Sequence, residues 1–202
     1  MILDKENNLK SLTPIPKDIN EIYQNYCLKP GDINEHLPLL KEYASKCSHV
    51  TEMGVRYIVS TWAFVAAKPK KIISIDKIHP IKFNASHQFN TLLNECKKSN
   101  INFIFYEEDT NKIEIEETDL LFIDTLHNYE QLKNELKLHS SKVKKYICFH
   151  DVETYGKRDE IGNGKGILLA IEEFLLNNIN KWKIVEHKKN NNGLMILEKI
   201  NG

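Results

Sequence analysis

Two short polar segments hold the side chains with the most chemistry to offer. Asp124-Thr125-Leu126-His127 follows the apolar run Leu120-Leu121-Phe122-Ile123, and His150-Asp151 follows Tyr146-Ile147-Cys148-Phe149. Carboxylates and imidazoles gathered at the ends of neighbouring strands can hold a divalent cation or pass a proton. A second set lies upstream. Glu52-Met53-Gly54 closes an apolar run and is followed by Ser60-Thr61; Ile72-Ile73-Ser74-Ile75 ends in Asp76. Gly54 permits a sharp turn with an accessible backbone. An acid roughly 20 residues further on is well placed for a ribose diol. Ser60 and Thr61 can cap the following helix or meet a ligand at its N-terminus. Glu107, Glu108 and Asp109 follow a third apolar run, within reach of an adenine amino group. No G-x-G-x-x-G and no phosphate-cradling glycine loop is present, which argues against a dinucleotide or nucleoside triphosphate site.

These residues need a scaffold that delivers strand ends to one rim. From residue 49 onward, short apolar runs alternate with helical periodicity. Strands are expected at 49–53, 71–75, 101–106, 119–123 and 145–149, and helices at 59–67, 83–99, 128–140 and 165–179. Such alternation marks an α/β protein with a parallel sheet between helices, whose ligands bind beyond the carboxyl ends of the strands. Two further strand-like runs flank Asn192-Gly193 at the C-terminus, a hairpin signal that adds an antiparallel strand. Residues 152–166 are polar and glycine-rich and read as a loop gating the proposed site. Upstream of the alternation, helices are expected at 17–28 and 33–47, separated by Lys29-Pro30-Gly31-Asp32. Residues 1–16, with Pro14 and Pro16, read as an arm or loop.

Composition narrows the function. The 202 residues carry 28 basic and 28 acidic side chains, a net charge of +0, which opposes nucleic-acid binding as the main activity. No run approaches the roughly 18 apolar residues of a membrane span, and the N-terminus has no signal-peptide pattern. Cys27, Cys47, Cys96 and Cys148 are scattered and read as ordinary thiols in a reducing compartment. The expected location is the cytoplasm, or the host cytoplasm if the lysine- and asparagine-rich composition reflects an A/T-rich viral genome. Arg56 and Arg158 are the two arginines; both stand in loops of the proposed site.

Taken in order, Glu52-Met53-Gly54 with Ser60-Thr61, Ile75-Asp76, Leu121-Phe122-Ile123-Asp124 with His127 and Tyr129, and Phe149-His150-Asp151 resemble class I S-adenosylmethionine-dependent methyltransferases. The branch they resemble is the small O-methyltransferases that include macrolide-sugar methyltransferases and cephalosporin-hydroxylase-like proteins. The likeness covers about residues 48–199. It implies a Rossmann-like seven-stranded sheet of order 3-2-1-4-5-7-6 with the last strand antiparallel. It also implies a catalytic domain over 48–202, preceded by a helical extension over 1–47 that serves as a substrate lid or a homo-oligomer contact. S-adenosylmethionine would lie across the first turn, with Glu52 and Gly54 at its methionine end, Asp76 at the ribose and Asp109 at the adenine. Asp124 would stand where cofactor and acceptor meet, as a catalytic residue and metal ligand. His127 would be the general base, a neutral imidazole of ordinary pKa. His150 and Asp151 would complete a site for Mg or Mn. The implied acceptor is a small molecule or glycan, methylated on a sugar hydroxyl. Two departures stand out. Ile58 occupies a loop position usually filled by glycine, where a positive φ would cost a β-branched residue about 1–2 kcal/mol. His150 replaces a carboxylate, which favours Mn, Fe or Zn over Mg. The rival readings are a non-catalytic binding protein on the same fold and a metal-dependent hydrolase built on the same His/Asp cluster.

Overall fold

The computed structural model describes residues 18–200, so the arm expected at 1–16 lies outside the described residues. The helices are α1 (Ile19–Leu28), α2 (Leu37–Ala44), α3 (Val59–Ala67), α4 (Ser86–Lys98), α5 (Tyr129–His139) and α6 (Ile167–Asn177). The strands are β1 (His49–Met53), β2 (Lys71–Asp76), β3 (Asn102–Glu107), β4 (Thr118–Ile123), β5 (Val143–His150), β6 (Trp182–Lys188) and β7 (Leu194–Lys199). They form one sheet of order β3-β2-β1-β4-β5-β7-β6, in which β7 alone runs antiparallel to its neighbours. The strand order reverses direction between β1 and β4, and there a ligand crevice is expected.

Two helices start later than their apolar pattern suggests. Residues 34–36 form a tight 3-10 turn, and α2 begins at Leu37 with Pro38 in its first turn, where a missing N–H costs nothing. Pro80–Phe83 likewise forms a separate 3-10 turn, ended by Asn84 at φ +59, so α4 starts only at Ser86.

Strand alternation divides the core. Val50, Ile72, Leu120, Phe122, Cys148 and Ile196 face α1 to α4; Met53, Ile73, Leu121, Ile123, Phe149 and Leu197 face α5 and α6. The N-terminal helices belong to the first of these layers. Tyr26 stacks on Trp62 at 6.3 Å, and Tyr43 meets the edge of Tyr146 at 4.9 Å, so packing is continuous across residues 47 and 48. All four cysteines are free. Among the described residues, no helix is long and apolar enough to cross a membrane.

Candidate active site

The carboxyl ends of β1, β2, β4 and β5 open onto a cavity of about 630 Å³, within the roughly 300–1,000 Å³ of small-molecule sites. Its floor is the turn after β1. Gly54 sits at φ +87 and donates its N–H to the Ile75 carbonyl at 2.9 Å. A Cβ at this position would lie 1.9 Å from the Asp124 carbonyl oxygen, so the two chains pass only because residue 54 has no side chain. Arg56 and Ile58 also have positive φ, +45 and +67. The loop thus keeps a left-handed geometry at Ile58 despite the β-branched side chain, which is wholly buried in the core. Asp76 draws the turn in: its Oδ2 accepts from the N–H groups of Val55 (2.8 Å) and Arg56 (3.0 Å), and its Oδ1 from Ile78 (2.9 Å). Asp76, Gly54, Arg56 and Ser60 line the cavity.

Glu52 and Thr61 are turned elsewhere. Glu52 shares the face of Val50 and points beneath α3, fully buried. Its carboxylate accepts from Ser60 Oγ (2.6 Å), Thr61 Oγ1 (2.8 Å) and Ser74 Oγ (2.7 Å). Burial outweighs these donors and pushes its pKa up to about 7. The three residues expected at the cofactor therefore form a clamp joining β1, β2 and α3, and only Ser60 also reaches the cavity wall.

The wall beyond β3 differs from expectation as well. Asp109 turns to Lys77 Nζ (3.2 Å) and the Asn111 N–H (3.0 Å), while the cavity is lined by Thr110, Thr125 and Gln131. These three converge on Glu135, which is wholly buried. Thr110 Oγ1 donates at 2.6 Å, Thr125 Oγ1 at 2.9 Å and Gln131 Nε2 at 2.8 Å. A second buried glutamate thus ties the loops after β3 and β4 to α5.

The acidic and imidazole groups meet beside Asp124, after β4 and β5. His127 Nε2 lies 3.1 Å from Asp124 Oδ1 and 3.0 Å from Asp151 Oδ2, and His127 Nδ1 lies 2.6 Å from Glu160 Oε2. Burial alone would lower the His127 pKa; hydrogen bonds and charge from Asp124 and Asp151 win and raise it to about 10. Beside these carboxylates the ring favours its protonated form more than the ordinary imidazole expected of it. Asp124 is held well below the usual carboxylate range, its burial outweighed by His127 and His150. Asp151 sits at φ +61, just past β5, which turns its carboxylate into the cavity. Its Oδ1 is buried with no hydrogen-bond partner among the described residues.

The ligand set also assembles differently from expectation. Asp124, His127 and Asp151 bring one ligand atom each within 4.8 Å of one another. His150 stands behind them. Strand alternation puts it on the Cys148 face, where its Nε2 lies 3.2 Å from the Asn191 carbonyl and its ring meets His36 edge-on at 5.5 Å. Its Nδ1 remains 3.7 Å from Asp124 and 3.6 Å from Asp151.

The loop over 152–166 does cover the cluster. Tyr155 stacks on the His127 ring at 4.8 Å and 15°, and Glu160 accepts from the His127 backbone N–H at 3.0 Å. Arg158 pairs with Lys165 in a short antiparallel bridge that closes the loop, and Arg56 lies over the Tyr57 ring at 5.1 Å. Glu160, Tyr155, Thr110, Gln131 and Glu135 were not expected at the site. The first two stand in a loop whose span was expected there, whereas nothing in the local sequence distinguishes the others.

No protein-family model and no curated protein matches the chain. Solved structures do match in shape. An O-methyltransferase from Bacillus cereus in complex with SAH superposes with a TM-score of 0.61 at 12% identity, covering 93% of each chain. The O-methyltransferase TomG from Streptomyces achromogenes, involved in tomaymycin synthesis and bound to SAM, gives 0.60 at 12% identity, covering 95% of this chain and 93% of that one. A ribosomal protein L11 methylase from Lactobacillus delbrueckii subsp. bulgaricus gives 0.57 at 12%, covering 82% and 79%. With this strand order and this crevice, the chain has the Rossmann-like fold of the S-adenosylmethionine-dependent methyltransferases.

Proposed function

We propose that the chain transfers a methyl group from S-adenosylmethionine to a hydroxyl, with a sugar hydroxyl of a glycan or glycoconjugate as the favoured acceptor. One observation carries this reading: a single cavity is lined both by the glycine turn with Asp76 and by Asp124, His127 and Asp151. A nucleoside and a reacting hydroxyl would share that chamber, and holding the oxygen in line with the sulfonium methyl is the main catalytic task. Asp76 would take the ribose diol on lone pairs not used by the loop amides. Gln131 Oε1, which accepts one bond from Asn111, keeps a lone pair for the adenine amino group, and the open backbone at Gly54 leaves room for the methionine end. Asp32 and Ile33 bring the 18–47 segment to the cavity lining, where it would serve as a wall for the acceptor beside a catalytic domain over 48–202.

The cluster suits a divalent cation. Asp151 Oδ1 is a buried acceptor without a donor, and two carboxylates with one imidazole nitrogen form a donor set for a transition ion. Asp124, Asp151 and His127 would hold it. When bound, it would supply positive charge to the alkoxide developing on the acceptor oxygen. As a ligand, His127 would give its Nε2 lone pair to the cation, and that nitrogen would then not be free to take the acceptor's proton. In the absence of a cation the ring bridges Asp124 Oδ1 and Asp151 Oδ2.

Titration calorimetry with S-adenosylmethionine and S-adenosylhomocysteine tests the first step. Saturable heat at micromolar ligand is expected for both; its absence up to high micromolar concentration overturns the reading. Release of S-adenosylhomocysteine on addition of neutral glycosides tests the acceptor class, and binding without turnover across such a panel would favour a binding protein.

A further inference from the structure

We propose that the cation site of this chain takes its nitrogen ligand from His127 Nε2 and not from His150. In this arrangement Glu160 is the positioning residue that holds the ring, and the site prefers a transition ion such as Mn(II) over Mg(II). The inference deepens the cation part of the function proposed above and rests on it.

The geometry separates the two histidines. His127 Nε2 faces Asp124 and Asp151 at 3.1 and 3.0 Å, on the cavity side. His150 is 2% exposed, spends Nε2 on the Asn191 carbonyl and stays beyond 3.5 Å from both carboxylates. The far nitrogen of His127 is anchored as ligating imidazoles usually are: Nδ1 meets a carboxylate, Glu160, at 2.6 Å, which directs the Nε2 lone pair at the ion. Glu160 also accepts from the His127 backbone N–H, and Tyr155 stacks on the ring, so both tilt and plane are fixed. The orphaned Oδ1 of Asp151, in a residue 7% exposed, is the second observation that points to a missing ligand. On ligation the cation takes the place of the Nε2 proton, which leaves to water. An imidazole donor disfavours Mg(II), which prefers oxygen ligands and retains its waters.

The test uses Mn(II) alone, without S-adenosylmethionine, on the full chain. Electron spin echo modulation of the Mn(II)-loaded protein is expected to show a directly coordinated imidazole nitrogen. That modulation should vanish in His127→Asn and persist in His150→Asn. Glu160→Gln should weaken Mn(II) binding roughly 10–100-fold with an unchanged circular dichroism spectrum, so the proposal stays testable if His127→Asn does not fold. Mg(II) should compete poorly. Modulation that survives in His127→Asn, loss of it in His150→Asn alone, or no Mn(II) binding by the wild-type chain each overturns the proposal. The calorimetric titration with S-adenosylmethionine reports separately on the methyltransferase reading.

Discussion

Ile58 and Glu52 each keep a conformation or an environment that costs free energy. Ile58 sits in the left-handed region at a cost of about 1–2 kcal/mol. A buried isoleucine, however, contributes more than that, since truncation to alanine typically costs about 2–5 kcal/mol. Packing therefore outweighs strain, and glycine is not required at this position. Glu52 is the opposite case, because nothing it touches compensates fully for its burial. Its pKa rises from 4.5 to about 7 on folding, so the folded chain favours the protonated form. Its contribution to stability is complete below pH 4.5 and is lost as the pH rises through 7, by on the order of 3 kcal/mol across the window. Glu52→Gln keeps the shape without the titration. Urea unfolding of both proteins from pH 4 to 8 should show the wild type losing stability relative to the variant as the pH rises. A difference that is flat with pH would mean that Glu52 does not titrate in this window.

At the scale of elements, the turn between β6 and β7 is the joint of the site. Asn191 and Asn192 stand at φ +45 and +71, followed by Gly193 at +93. Asn191 Nδ2 donates to the Gly31 carbonyl at 2.7 Å, and its Oδ1 accepts from the Glu35 N–H at 3.1 Å. The Asn191 carbonyl accepts from His36 and His150, and the Asn192 carbonyl from the Glu153 N–H at 2.9 Å. One turn thus binds the segment carrying Asp32 to the segment carrying Asp151. Asn191→Ala should raise hydrogen exchange at the Glu35 amide while leaving β4 protected; unchanged exchange at Glu35 would show that the turn is not the tether.

The Asn-Gly pair made the hairpin legible in the sequence, but the bonds it makes across roughly 155 residues were not. The strand ends were legible too, because apolar runs stop at Gly54, Asp76, Asp124 and His150. Which way each side chain turns was less so. Alternation from Cys148 sends His150 to the α3 side, and alternation from Val50 sends Glu52 there too, so both leave the cavity despite standing at its rim. Glu135 was invisible, and Glu160 legible only as one residue of a polar loop, for a different reason: their partners come from other elements, and no local spacing encodes such a meeting.

For the whole molecule, a net charge of +0 conceals an uneven distribution. The cavity is lined by Asp32, Asp76, Asp124, Asp151 and Glu160, against Arg56, Lys77 and the charged ring of His127. Lys77 is already paired with Asp109. The cluster around His127 thus presents carboxylates whose main counter-charge is a ring they themselves enclose. A cation bound there would be held by the same groups and would leave Asp32, Asp76 and Glu160 as the remaining acidic lining. An acceptor bearing a phosphate or sulfate would meet like charge in a confined, partly desolvated space, where repulsion is least screened. A neutral glycoside meets no such penalty, and its hydroxyls can donate to the same carboxylates. Matched substrates test this. The KM for a phosphorylated glycoside should exceed that of its neutral parent by roughly tenfold or more, equivalent to about 1.4 kcal/mol. Raising the salt concentration should narrow the gap by screening the entrance. Equal or better use of the phosphorylated form would show that Arg56 and Lys77, and not the carboxylates, set the sign of the site.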